Sequence, residues 1–170
     1  MRKLVVFVLA LALLGVAPTT SFAQPSCGDT ITTSTTLTTD LVCSGNGLRV
    51  SGSNVTLDLG GHTIRGLSGS SFSTTGVYSI EADHPIVMNG EIEGFDYGLH
   101  GSRTTSGLFN RLLIDGNRIG VALEHGTYTL TRNRIVWNTE LGLVTDYTAT
   151  VTLIGNKIKH NGPKSKHGGQ

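Results

Sequence analysis

Short runs of alternating apolar and polar residues recur along the chain. "VTLDL" at 55–59, "YTLT" at 128–131 and "VTLI" at 151–154 alternate with a period of two, the pattern of a strand with one buried face. A second set of short pieces is centred on an isoleucine: "HTIR", "GEIE", "NRIV" and "NKIK". A third set follows a glycine: "GVYSI", "GLH", "GVAL" and "GLVT". No consistent two-residue turns join these pieces into hairpins.

The pieces keep a period. Gly76, Gly98, Gly120 and Gly142 stand 22 residues apart, and each is followed by an aliphatic residue: Val77, Leu99, Val121 and Leu143. Ile92, Ile114, Ile135 and Ile158 are separated by 22, 21 and 23 residues, and Ile64 precedes Ile92 by 28. The longer step puts an insertion in "GLSGSSFSTTG", a loop by composition. Three short strands per turn, each stacking on its equivalent one turn later, make a solenoid. The fold predicted is all-β, a parallel β-helix of about five coils of roughly 22 residues with three strands per coil.

The periodic glycines are expected where the chain bends into its third strand, through unusual backbone angles or close approach of neighbouring coils. Gly120→Val is then expected to be far worse than Gly126→Val, because only Gly120 lies on the period. Asn117, Asn138 and Asn161 each follow their isoleucine by three residues, a spacing suited to a hydrogen-bonded asparagine ladder. Asn133 and Asn156 lie two before. His62 shares that slot and is expected to be packed or hydrogen-bonded rather than a ligand.

Composition agrees with short strands and many turns. Glycine numbers 23, aromatic residues make up 6% and charged residues 15%, which disfavours a helical bundle. Residues 1–23 read as a signal peptide: Arg2 and Lys3, an apolar run from Leu4 to Val16, and a Ser21-Phe22-Ala23 cleavage site before Gln24. Residues 24–54 are expected to form an N-terminal coil or cap. Residues 55–162 carry the repeats and 163–170 form a disordered basic tail. Removing the leader's two cations turns the formal charge of +1 negative. No basic excess suggests nucleic acid, and after cleavage no segment could span a membrane. Cys27 and Cys43 are the two cysteines, and in a secreted, periplasmic or extracellular chain they are expected to pair as a disulfide.

The segment "CGDTITTSTTLTTDLVCSGNGLRVSGSNVTLDLGGHTIRG", followed by "MNGEIEGFDYGL", resembles exported right-handed parallel β-helix proteins of the pectin-lyase-like group. That group includes pectate lyases, polygalacturonases and alginate epimerases, so the resemblance implies a right-handed single-stranded β-helix and a polysaccharide partner. Its catalytic motifs are missing. The epimerases carry an Asp-Pro-His-Asp run, whereas this chain has Asp83-His84-Pro85, in another order and without the second carboxylate.

Enzymes of the group place their groove on an outer face of stacked strands. The positions flanking each central isoleucine form two columns here: Arg65, Glu93, Asp115, Val136, Lys159, and Thr63, Glu91, Leu113, Arg134, Lys157. Arg65, Glu91, Glu93, Asp115 and Arg134 are the candidate polysaccharide contacts. Paired carboxylates suit acid and base roles at a glycosidic bond, or calcium, the one cofactor they would suit; no other metal or cofactor is expected. Arg134 would neutralise a uronate. Mixed charges also simply keep an exposed sheet soluble. Leu113 and Val136 interrupt the columns, and Trp137 is the one tryptophan, with no row of aromatic residues to stack on sugars.

The functional expectation is an exported β-helix module that contacts carbohydrate or serves a structural role at a surface, without a recognisable catalytic centre. The alternative is a lyase, hydrolase or epimerase acting on uronate polymers, or a truncated copy of one. The last repeat, "TATVTLIGNKIKHNG", runs into Gly162-Pro163 with no Gly-aliphatic pair near position 164. An open final coil that associates end to end is therefore also expected.

Overall fold

A computed structural model describes residues 24–67 and 73–163. The expected leader lies outside the described residues, as do residues 68–72 of the inserted loop and residues 164–170 of the tail. Every element among the described residues is a strand. The first turn holds β1 (Thr30–Ile31), β2 (Thr35–Thr36) and β3 (Leu41–Cys43). The second holds β4 (Leu48–Ser53), β5 (Thr56–Asp58) and β6 (Thr63–Gly66). Beyond them come β7 (Thr75–Asp83) and β8 (Ile86–Glu93), then the long β9 (Tyr97–Asp115) and β10 (Ile119–Thr131), which run round corners without a break. The chain continues through β11 (Arg134–Val136), β12 (Leu141–Thr145), β13 (Ala149–Ile154) and β14 (Lys157–Lys159).

All pairings are parallel, and they build three sides. The isoleucine side stacks β3, β6, the end of β8, the end of β9, β11 and β14. The glycine side stacks β1, β4, β7, β9, β10 and β12. The remaining side stacks β2, β5, β8, β9, β10 and β13. The described residues thus form about six turns, not five. The extra turn is β1–β3, which the sequence hid inside a cap because its central position is Leu41 rather than isoleucine.

Alternation fills the interior from all three sides. Leu57, Val87, Phe109 and Leu130 come from one, Leu41, Ile64, Ile92, Ile114 and Ile135 from the second, and Leu48, Val77, Leu99 and Val121 from the third, all buried. Burying apolar surface in this way contributes roughly 25 cal/mol per Å². Cys27 and Cys43 are disulfide-bonded across 16 residues. At this end Gln24 accepts from the Thr38 amide and donates to the Thr39 carbonyl, and Pro25 is buried. At the other end Leu153 and Ile158 keep 48% and 40% of their surface exposed.

The periodic glycines act by close approach alone. Gly76, Gly98, Gly120 and Gly142 do not have positive φ; a Cβ on Gly98 would lie 2.7 Å from the Gly120 carbonyl oxygen and from Asn117 Nδ2. Gly47, before Leu48, heads the series and abuts the Gly76 carbonyl in the same way. Gly126 is equally crowded, against the backbone of Thr104, so the contrast expected between Gly120 and Gly126 does not hold.

Left-handed backbone falls instead at other corners, two of which flank the isoleucine side. One contains Gly94, Gly116, Trp137 and His160, with φ of 76°, 63°, 56° and 57°; the other contains Asn89, Arg111, Arg132 and Gly155. Both series follow the 22, 21, 23 steps of the isoleucines. Two asparagine ladders tie the same corners. The amide of Asn117 donates to Asn138 Oδ1 at 3.1 Å and that of Asn138 to Asn161 Oδ1 at 3.0 Å, while the Asn133 amide donates to Asn156 Oδ1 at 2.9 Å. Each ladder side chain also returns Nδ2 to a main-chain carbonyl, Asn138 to Ile114 at 3.1 Å, which satisfies backbone groups that a tight corner would leave unpaired.

Candidate functional site

The outer face of the isoleucine side brings the candidate residues together. Register aligns Arg65 with Glu93, Glu93 with Asp115, Asp115 with Val136 and Val136 with Lys159; Thr63, Glu91, Leu113, Arg134 and Lys157 align beside them. Alternation forces this: with each isoleucine pointing inward, both of its neighbours point outward. Rungs about 4.8 Å apart then set the spacing along each column. Val136 is only 1% exposed, so it breaks the polar column as expected.

Arg65 Nε donates to Glu93 Oε1 at 2.5 Å, a cross-strand pair of opposite charge. Glu91 has the weaker contact, 3.5 Å from Thr63 Oγ1. Burial pushes its carboxyl above the usual glutamate range, and the negative charges of Glu93 and Asp115 push the same way. Asp40, one rung below Thr63, accepts from the Thr63 amide at 2.9 Å and lies 3.2 Å from His62 Nδ1. Those contacts, the Thr63 amide first, hold its carboxyl below the usual range. His62 is thus hydrogen-bonded, as its slot suggested. Among the described residues neither Asp115 nor Arg134 is in an ion pair. The face is acidic over Glu91, Glu93 and Asp115 and basic over Arg134, Lys157 and Lys159. No group of three or more His, Cys, Asp or Glu side chains among the described residues is arranged to hold a metal, so the calcium expectation gains no support from geometry.

Two aromatic stacks form on the outer surface, neither of them legible in the columns read from the sequence. Tyr78 and His100 stack at 4.9 Å on the outer glycine side, with Tyr97 at 5.4 Å from His100 and Arg118 over the Tyr97 ring. Arg118 is tied to Glu140 at 2.6 Å and Asp96 at 3.3 Å. His100 Nε2 is shielded, without a hydrogen-bond partner among the described residues, and 3.5 Å from Glu124 Oε1. Trp137 stacks on His160 at 4.3 Å with the rings 10° apart, at the corner bordering the isoleucine side. The signal was spacing: Tyr78 and His100 are one 22-residue period apart, and Trp137 and His160 are 23 apart.

A family described as "Right handed beta helix region" matches residues 46–169. The chain belongs to the right-handed β-helix family. The match begins just before Gly47, where the crowded glycine series begins, and spans the second to sixth turns of the β-helix. No curated protein and no solved structure matches this β-helix.

Proposed function

We propose that this β-helix contacts a polysaccharide through the outer face of its isoleucine side. The observation that carries the reading is the register, which lines up Arg65, Glu93 and Asp115 beside Glu91 and Arg134 over successive rungs. A regularly spaced row of hydroxyl-binding groups matches a polymer whose own hydroxyls repeat. The pectin-lyase-like likeness of its first coils favours the same partner class. The Cys27–Cys43 disulfide fits a secreted or periplasmic setting, where such bonds persist. Affinity electrophoresis in gels containing pectate, alginate or a neutral glucan tests the reading. Retardation that weakens in Arg65→Ala and Arg134→Ala supports it, and free migration in every gel removes it. Following unsaturated products and reducing ends in the same polymers tests the enzymatic alternative, which Glu91 favours as a carboxyl pushed up beside other carboxylates. Turnover lost in Glu91→Gln would replace binding with catalysis.

End-to-end association is a second reading, favoured by the exposed inward side chains Leu153 and Ile158. At the opposite end the inward side chains Ile31, Leu37 and Leu41 are buried. Two copies therefore meet last turn to last turn, and growth stops at a pair. Sedimentation showing a monomer–dimer equilibrium supports this; a monomer at every concentration, or open-ended polymers, contradicts it.

A further inference from the structure

The corner column beside the carboxylates contains Gly94, Gly116, Trp137 and His160 on four successive rungs. Trp137 covers His160 with one indole face. Its other face must therefore look down the column, toward Gly116. Gly116 has no side chain to meet it, and a Cβ placed there would touch nothing within 4 Å. Gly94, one rung further, has no side chain either, its Cα packed against the Gly66 backbone. The indole is 54% exposed, although burying an aromatic ring is worth more than burying almost any other side chain. Asp115 directly precedes Gly116, and its carboxylate is in no ion pair among the described residues.

We propose that the free face of Trp137 above Gly116 is a subsite that stacks one pyranose ring lacking a carboxylate, with Asp115 accepting from its hydroxyls. The ring's C–H face replaces water on the indole, and one rung of about 4.8 Å leaves the thickness a ring needs. Glu93 is held by Arg65, and Glu91 one rung below Asp115 is offset by Arg134 one rung above, which leaves the Asp115 carboxylate to repel a uronate here, so the subsite selects for neutral sugar. This inference rests on the polysaccharide reading and assigns the sugar class that reading leaves open.

Trp137 is the only tryptophan in the chain, so its fluorescence reports this corner alone. Titration of the whole protein with cellotetraose and with tetragalacturonate is the test. The expected result is a blue shift and intensity change with the neutral tetramer and none with the uronate. Gly116→Asn keeps a residue type that tolerates the left-handed backbone while filling the slot; it should abolish the fluorescence change and weaken binding by about tenfold. Trp137→Ala, followed by calorimetry, should lose the same factor, and Trp137→Phe should recover part of it. Circular dichroism melts of each variant separate lost binding from lost fold. Unchanged fluorescence in a protein still retarded by polysaccharide gels overturns the subsite and leaves the face intact. Binding of tetragalacturonate at Trp137 overturns the assigned sugar class. Free migration in every gel overturns both.

Discussion

Gly120 has no room for a methyl group. A Cβ there would sit 2.6 Å from the Gly142 carbonyl oxygen, 2.7 Å from Asn138 Nδ2 and 2.8 Å from Ile135 Cγ2. Gly120→Ala should cost about 1–3 kcal/mol through overpacking, and Gly126→Ala should cost a similar amount. Gly45→Ala, which meets nothing within 4 Å, should stay within about 0.5 kcal/mol. Urea melts of the three variants check this. Glu91 gives a pH signature. Its folded carboxyl titrates above the unfolded one, so the folded state loses stability as pH rises from the unfolded value through the folded one. Glu91→Gln removes that cost. The variant should melt higher than the parent at pH 7, and the difference should vanish below about pH 4, as thermal scans across pH would show. The crowded glycines were legible because close approach admits one residue type and so leaves a visible period. The left-handed corners were not, because Gly, Trp and His share no side-chain property, only a backbone angle.

Each three-residue strand is too short to hold its place by itself; what fixes it is the identical strand on either side. Ile114 is buried between Ile92 and Ile135, whereas Ile158 stands on the last described rung with 40% of its surface exposed. Ile114→Ala should therefore cost about 2–5 kcal/mol and Ile158→Ala clearly less. Asn138→Ala should approach the larger figure, since the buried Asn117 amide loses its acceptor and the Ile114 carbonyl loses its donor, each worth about 1–3 kcal/mol when unmet. Denaturant midpoints measured in parallel decide the order. Strand identity on the isoleucine side was legible from its repeat. The first turn was not: its threonine-rich strands carry little alternation, and the insertion after Gly66 stretches the step from Gly47 to Gly76 to 29 residues. The candidate site was legible as columns, because register followed from the isoleucines. Its aromatic border was hidden because each aromatic pair is split across two turns.

The first and last turns among the described residues differ. The Cys27–Cys43 bond ties the strand β3 to the segment that leads into the first turn. Its loop of 16 residues should contribute about 3 kcal/mol by restricting the unfolded chain. A Cys27→Ser, Cys43→Ser double variant should melt lower by that amount. Amide exchange should quicken in β1, β2 and β3 while β11 keeps its protection, because contacts in such a stack reach only the next rung.

The steady step of the isoleucines has a consequence for inheritance. Residues 118–138 run from just past one ladder asparagine through the next and include inward residues from each side of the fold, such as Val121, Leu130 and Ile135. An in-frame duplication of that stretch would add a complete turn whose hydrogen bonds meet their partners above and below without any other change. The outer face would lengthen by about 4.8 Å and gain one more charged row. Reach along a partner is thus a quantity that can be lengthened or shortened a unit at a time, like graduations on a ruler, while the interior chemistry stays the same.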